Sequence, residues 1–151
     1  MKAIKNKSPK CTIEILTPDF KGFNPSLDLV FSSKPDIFSH NIECVERISK
    51  KVRRTSNWER SLEVLRYSIS KNMLTKTGMM VGLGETDQEV FDTMELVQGV
   101  GVEIFNIGQY LQPTKEHLSV QRYVDPEIFK LYKEFGKKLG FKVVESGPLV
   151  R

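Results

Sequence analysis

The sequence predicts an α/β fold with a parallel sheet, formed as part of a barrel or as an open sheet. Short β-branched or apolar runs alternate with longer spacers, most of which carry helix signals, and this alternation is typical of βα units. Each spacer has roughly a dozen residues or more, enough for the crossover that parallel strands require. The chain has 151 residues, whereas a closed eight-stranded barrel takes about 250. A complete barrel is therefore excluded.

Five runs are predicted to be the strands of this sheet. They occupy residues 12–16, 36–39, 76–82, 102–108 and 141–145. Shorter helices are expected after Phe23 and after Asn41, between the first three strands. No internal repeat, low-complexity segment or linker divides the chain, so a single domain is expected.

Three spacers carry clear signals for the start of a helix. A capping box pairs the side chains of two residues with free backbone amides at the first turn, and an Asp before Pro marks an N-cap. These signals are Ser56 with Glu59, Thr86 with Glu89, and Asp125 with Pro126. Gly99 and Gly101 are expected to stop the second helix, and Gly140 the third.

Each of these helices has an apolar stripe that we interpret as facing the core. The stripes are Trp58, Leu62, Leu65 and Ile69 in the first helix, Val90, Met94 and Val97 in the second, and Ile128, Leu131, Tyr132, Phe135 and Leu139 in the third.

Composition and charge limit the classes of function. Hydrophobic residues make up 39% and charged residues 28% of the chain, as in globular proteins. No apolar run is long enough for a transmembrane helix, and the basic N-terminus lacks the apolar region of a signal peptide. A cytoplasmic protein without a membrane partner is expected.

The net charge of +4 comes largely from the N-terminal lysines and residues 50–54. These clusters are compatible with an anion or nucleic-acid patch or with a solvated helix end. Because no zinc-finger spacing or aromatic RNA-binding motif accompanies them, no nucleic-acid partner is predicted. Cys11 and Cys44 are too few for a disulfide framework and too far apart for a local metal motif.

Ligands of parallel α/β folds sit at the carboxyl ends of the strands, and the first candidate is residues 78–86. Gly78, Gly82 and Gly84 allow close approach of a ligand to the backbone, and free amides are expected near Thr86, where a helix starts. A nucleotide-like or phosphate-like ligand is one interpretation, and a tight turn that merely needs glycine is the other. The segment is neither a Walker A loop nor a dinucleotide fingerprint.

Two further strand ends carry polar groups. His40 could act as a base, Asn41 as a hydrogen-bond donor to substrate and Glu43 as an acid or base, unless Asn41 and Glu43 serve as helix cap and first-turn acid. In residues 108–114, Gln109, Tyr110 and Gln112 suit recognition of an uncharged ring. The alternative there is a strand-to-loop exit shaped by Pro113.

These strand ends also carry a family resemblance. Six segments occur in the order and spacing of the lipoyl synthases. They are ILTPDFKG (15–22), PDIFSHNIE (35–43), TKTGMMVGLGET (75–86), GQYLQP (108–113), QRYV (121–124) and SGPLVR (146–151). The chain thus resembles the C-terminal part of a lipoyl synthase, a member of the radical S-adenosylmethionine superfamily. The resemblance assigns residues 11–151 to the barrel and leaves 1–10 as a basic lead.

The resemblance implies an incomplete (β/α)6 partial barrel that lacks its first strands. Lipoyl synthases are sulfurtransferases that insert two sulfur atoms into an octanoyl chain carried by a lipoyl carrier domain, using S-adenosylmethionine and two 4Fe–4S clusters. Gly78, Met80, Gly82 and Glu85 match the superfamily's Gly-x-Ile-x-Gly-x-x-Glu motif beside the adenine, with Met80 in place of Ile. Asn41 is the further candidate for a polar contact to the cosubstrate.

The departures from the family concern the clusters. Two cysteine triplets and a serine ligate the clusters of the family, and Cys11 and Cys44 match neither triplet. We therefore expect a truncated form that ligates no cluster, is inactive alone and needs a missing N-terminal half. Without the first strands, the strand at 12–16 would be an exposed edge prone to self-association. The alternatives are a non-catalytic module that binds a lipoyl carrier domain or an adenosyl ligand, and an unrelated nucleic-acid binder.

Overall fold

The computed structural model describes residues 1–53 and 57–150, and within them the predicted parallel sheet is confirmed. Five strands pair in sequence order, and every neighbouring pair is parallel. The strands are β1 (Glu14–Leu16), β2 (Ile37–Ser39), β3 (Thr75–Val81), β4 (Ile104–Gln109) and β5 (Val143–Gly147). With a crossover between each pair, this is the βα array of an incomplete barrel.

Within the described ranges, six α-helices accompany the strands. They are α1 (Lys2–Lys7), α2 (Asn24–Ser32), α3 (Glu46–Val52), α4 (Trp58–Ser70), α5 (Asp87–Val100) and α6 (Pro126–Leu139), with a short 3-10 helix at Phe20–Gly22. The two shorter helices expected after Phe23 and Asn41 are therefore present as α2 and α3. None of the helices in the described ranges is both long and apolar enough to cross a membrane.

The helix starts follow from local hydrogen bonds. At α5 the predicted capping box is confirmed, because Thr86 Oγ1 accepts from the Glu89 amide at 3.2 Å and Glu89 accepts from the Thr86 amide at 2.8 Å. At α6 the predicted N-cap Asp125 accepts from a first-turn amide. The Ser56 half of the other predicted box lies outside the described residues. Among those that are described, Asn57 caps α4.

Two details of the predicted helices are wrong. Gly99 does not stop α5, which continues to Val100 and ends at Gly101, where a φ of 104° suits glycine. Leu131 is 50% exposed and lies off the core stripe of α6, whereas Phe129 and Tyr132 are buried. Sequence periodicity misses this because Phe129 falls one position from the chosen stripe, yet it belongs to the large core that α6 shares with β4 and β5.

The core lies on the helix side of the sheet. The alternate residues Thr77, Met79 and Val81 of β3 and Phe105 and Ile107 of β4 are buried. Met79, Val81, Phe105 and Ile107 form one large cluster with the inward faces of α4, α5 and α6. A smaller cluster joins α2 and α4 across β2 and consists of Leu27, Phe31, Phe38 and Val64. The helices thus cover one face of the sheet.

The basic segments are partly bound to the rest of the domain. In the lead, which contains α1, Lys5 Nζ lies 2.7 Å from the Asp36 carboxylate, so the boundary between 1–10 and 11–151 stays a prediction. Lys50 and Lys51 lie in the last turn of α3, and Arg53 pairs with Glu43 at 2.5 Å. Arg54 lies outside the described residues. These positions favour the solvated helix end for this cluster.

Candidate ligand-binding site on the inner face of the sheet

The inner face of the sheet, opposite the helices, carries a cavity of about 440 Å³. Its walls come from residues of β1, β2, β3 and β4 together with the segments that follow β2, β4 and β5. The lining residues are Glu14, Leu16, Ser39, Asn41, Lys76, Gly78, Met79, Met80, Asn106, Gly108, Gln109, Leu111, Pro148 and Val150. The cavity therefore lies where parallel α/β proteins bind ligands.

The alternation of side chains along β3 explains which predicted residues reach the cavity. Successive side chains of a strand point to opposite faces. Gly78 and Met80 accordingly lie on the inner face, whereas Met79 between them borders the cavity but belongs to the buried cluster on the helix side. The register pairs Gly78 with Asn106 and Met80 with Gly108. Two of the predicted cosubstrate residues thus lie side by side in the cavity.

Gly78 leaves room for the amide of Asn41. A Cβ built on Gly78 would lie 3.2 Å from Asn41 Oδ1, closer than most such contacts. Asn41 lines the inner cavity and also a neighbouring one of about 480 Å³ beyond β1 and β2. No hydrogen bond from the described part of the chain holds its side-chain amide. The structure therefore brings Asn41, Gly78 and Met80 together with a polar group available to a ligand.

Gly82 and Glu85 lie apart from the cavity lining, in the loop between β3 and α5. The Glu85 carboxylate is buried and accepts from the amides of Gly82 at 2.6 Å and Leu83 at 2.9 Å. Gly82 has a φ of 99°, and a Cβ there would lie 2.3 Å from Gln109 Nε2. The Glu85 carboxylate thus occupies the loop amides that a phosphate-like ligand would need. This favours the interpretation of residues 78–86 as a tight turn. A cosubstrate contact by Gly82 and Glu85 stays a prediction.

His40 is a structural residue with both ring nitrogens bound. Its Nδ1 lies 2.9 Å from the Thr17 carbonyl, which can only accept, so Nδ1 carries the proton. Its Nε2 then accepts from the Ser61 hydroxyl of α4 at 3.0 Å. Burial lowers the pKa of His40. The ring is neutral and links β2 to α4, which argues against a role as general base.

Glu43 extends the sheet rather than starting a helix. Its amide donates to Gly78 O and its carbonyl accepts from Met80 N at 2.8 Å, while its φ is 71°. The carboxylate is held by Arg53. Helix α3 begins at Glu46, with Val45 as its N-cap. The capping alternative for Asn41 and Glu43 is therefore wrong, because the chain after β2 pairs with β3 before it turns into α3.

The polar groups after β4 fix their own loop. Gln109 Nε2 donates to Arg122 O at 3.1 Å and its Oε1 accepts from Val124 N at 2.9 Å. The Tyr110 hydroxyl donates to Leu118 O, and Gln112 donates to His117 O. The amides and phenol predicted for an uncharged ring are thus used by the 110–124 loop. This favours the alternative of a strand-to-loop exit.

Several lining residues carry no motif and were missed by sequence reasoning. Lys76 of β3 and Glu14 of β1 form an ion pair at 2.9 Å, and Ser39 of β2 and Asn106 of β4 also line the cavity. The period-two spacing of Lys76 from Gly78 and of Glu14 from Leu16 could have identified the ion pair. Only the sheet register, however, brings residues 62 positions apart into contact.

The residues of the chain do not fit an iron–sulfur cluster. Such clusters need about four ligands, chiefly thiolates, and the sequence has two cysteines. Cys11 is exposed, while Cys44 is buried and burial raises the pKa of its thiol to about 12. Nowhere in residues 1–53 and 57–150 do three or more His, Cys, Asp or Glu side chains gather to hold a metal ion. The cavity itself, with its bare glycines and the Asn41 amide, fits an organic ligand.

Comparison with known proteins identifies the family of the chain. The sequence model of the radical SAM superfamily matches residues 1–97. The chain is 47% identical over 152 residues to the lipoyl synthase of Flavobacterium johnsoniae, covering 100% of this chain and 53% of that protein. It is 48% identical over 153 residues to the lipoyl synthase of Rubrobacter xylanophilus, covering 100% and 48%. The mitochondrial lipoyl synthase of Nematostella vectensis is 46% identical over 152 residues, with coverage of 100% and 52%.

The chain spans about half the length of the curated relatives it matches. None of these relatives supports the two alternative functions, a non-catalytic binding module and a nucleic-acid binder. The parallel sheet, the glycine-lined inner face and the match over residues 1–97 agree with one another. The chain therefore belongs to the radical SAM superfamily, and over its whole length it is similar to lipoyl synthases.

Proposed function

We propose that the chain forms the S-adenosylmethionine-binding wall of a lipoyl synthase, which inserts two sulfur atoms into the octanoyl chain of a lipoyl carrier domain. One observation carries the proposal: Asn41, Gly78 and Met80 line one cavity on the inner face of the sheet. The lipoyl synthases it resembles are the reason for naming this cosubstrate and this carrier. A cytoplasmic location is part of the same proposal.

The chemistry of the cavity suits the adenosyl group. Gly78 exposes backbone to a flat ring, Met80 offers a polarizable side chain against its face, and the Asn41 amide can donate and accept at once. Gly82 and Glu85 would act on the cosubstrate through the loop after β3, whose shape Glu85 fixes by its two amide contacts.

Cosubstrate cleavage would depend on a reduced 4Fe–4S cluster, and the two thiols of the chain do not fit one. We propose that the chain alone is inactive and that a second polypeptide segment carrying the cysteine triplets completes the enzyme. The outer edge of β1 is the place for it, because within the described residues β1 pairs only with β2. An unpaired edge next to the 62% exposed Leu16 favours association.

Calorimetric titration with S-adenosylmethionine tests the binding role. We expect Asn41→Ala to weaken binding about tenfold, the effect of losing one hydrogen bond of about 1.4 kcal/mol. Gly78→Val, whose side chain would meet Asn41, should abolish binding. Gly99→Ala is the matched control, because nothing lies within 4 Å of the added Cβ. Equal affinity in all four proteins would refute the assignment.

Anaerobic reconstitution with iron and sulfide tests whether the cluster ligands must come from a second polypeptide segment. We expect no stable 4Fe–4S absorbance from this chain alone and recovery of sulfur insertion when it is co-expressed with a segment that carries the cysteine triplets. A cluster that forms on the isolated chain and disappears in the Cys11→Ser variant would contradict the proposal.

A further inference from the structure

The segment that follows β5 folds back over the inner face of the sheet. The Val150 amide donates to the Gly147 carbonyl at 3.1 Å and closes a turn. Pro148 and Val150 line the inner cavity, and Leu149 between them is 87% exposed. The segment Pro148–Val150 thus forms one side of the cavity without belonging to the sheet.

This fold-back depends on the absence of a side chain at Gly108. A Cβ at this position would lie 2.2 Å from the Val150 carbonyl oxygen and 3.3 Å from its carbonyl carbon. Both atoms belong to the backbone, so no rotation of a side chain can relieve the clash. Gly108 lies on the inner face of β4, paired with Met80 on one side and Gly147 on the other.

Gly147, the β5 residue paired with Gly108, has room for a side chain. A Cβ on Gly147 would meet only the Cγ2 atom of Val150, at 3.6 Å, which is an ordinary van der Waals contact. The two glycines are neighbours on the same face of adjacent strands. Only the one on β4 lies directly beneath the backbone of the returning segment.

We propose that Gly108 is a positioning residue: it lets the segment Pro148–Val150 lie on the inner face of β4 and close that side of the cavity. A side chain at position 108 lifts the segment and opens the cavity. The position of the segment is independent of the ligand, whereas its consequence for S-adenosylmethionine rests on the proposed function.

Spin-label distances test the position of the segment. Labels on Leu149→Cys and Leu131→Cys, both at exposed sites, are introduced in a Cys11→Ser background, where the buried Cys44 stays unlabelled. We expect Gly108→Ala to shift or broaden the distance distribution by several ångströms and Gly147→Ala to leave it unchanged. The same distribution in Gly108→Ala and in the parent would overturn the proposal.

A shortened chain keeps the test decisive if Gly108→Ala folds poorly. In a chain that ends at Gly147, the carbonyl of Val150 is gone, so Gly108→Ala should lower the melting temperature only in the longer chain. An equal loss in both chains would refute the proposal, because the clash would then lie elsewhere.

Calorimetry with S-adenosylmethionine separates this inference from the proposed function. We expect Gly108→Ala to weaken binding at least tenfold while Gly147→Ala binds as the parent does. If the parent itself does not bind and the label distances still shift, the position of the segment stands and the proposed function fails. If the distances shift and the affinity of a binding parent is unchanged, the role of Gly108 in positioning the segment stands, and the segment's role as a wall of the ligand site is overturned.

Discussion

The two faces of the five-stranded sheet follow different rules, although the same strands supply both. On the helix side, Phe105 and Ile107 are fully buried and packed against α5 and α6. On the inner side, the cavity is lined by glycines, amides and the ion pair of Lys76 with Glu14. Packing on the helix side stabilises the domain, whereas residues on the inner side can be selected for ligand binding.

The difference arises because side chains alternate along each strand. Each apolar residue on the helix side removes surface from water, at about 25 cal/mol per Å², whereas the inner side gains little from burial while it stays open. Substitutions at adjacent positions of one strand should therefore have unequal costs. Four predictions test this contrast, from the largest expected effect to the smallest.

Phe105→Ala should lower the free energy of unfolding by about 3–5 kcal/mol, because it leaves a cavity against Phe141 in the large core. Leu16→Ala, on the inner face and 62% exposed, should change it by less than about 0.5 kcal/mol. Urea denaturation measures both. Similar costs at the two positions would break the distinction between the faces.

Glu85→Ala should cost about 2 kcal/mol, because the amides of Gly82 and Leu83 lose a charged acceptor in a buried loop. Glu95→Ala, on the exposed side of α5, is the control and should be close to neutral. The same denaturation experiment decides whether Glu85 stabilises the loop. A neutral result would leave the carboxylate free for a ligand instead.

His40 should make stability depend on pH. Burial lowers its pKa in the folded chain, so the unfolded chain takes up the proton first. The contribution is complete above the unfolded pKa of about 6.5. As the pH falls below that value, stability should decrease by up to about 1.4 kcal/mol per pH unit.

His40→Asn should remove this component when the free energy of unfolding is measured at pH 7.5 and pH 5.5. His117→Asn, at an exposed position, should leave the pH dependence as it is. An unchanged slope in His40→Asn would show that the ring is not the buried neutral group described above.

Lys76→Met should change the free energy of unfolding by less than about 1 kcal/mol, because its ion pair with Glu14 lies on the open inner face and is partly solvated. A double-mutant cycle with Glu14→Gln measures the coupling. A coupling above about 2 kcal/mol would mean that the inner face is closed to water, for example by self-association through β1.

Much of the fold could be predicted from local patterns. The five strands lie within two residues of their predicted ends, because apolar runs between helix signals mark them, and the capping box at Thr86 is confirmed by its two hydrogen bonds. The errors at Gly99 and Leu131 have different causes. Helix α5 tolerates Gly99 within its last turn. In α6, packing against β4 and β5 determines which residues are buried.

The site was predicted less completely. Asn41, Gly78 and Met80 were identified from a family motif and a strand end, and they do meet in one cavity. The structure argues against the roles first suggested for His40, Gln109 and Tyr110, because each side chain is hydrogen-bonded within the fold to a partner that no spacing reveals. A polar side chain at a strand end is available to a ligand only if no other group of the protein already takes up its hydrogen bonds.

The sequence by itself determined the order of strands and helices, the parallel sheet and the shortage of thiolates, since these depend on residue type, periodicity and chain length. Only the tertiary structure decided that Glu85 occupies the amides of its own loop and that Lys76 meets Glu14. It also placed the backbone of Val150 against Gly108. The contacts of Lys76 with Glu14 and of Val150 with Gly108 join residues far apart in the chain, and the register between strands sets them rather than any local preference.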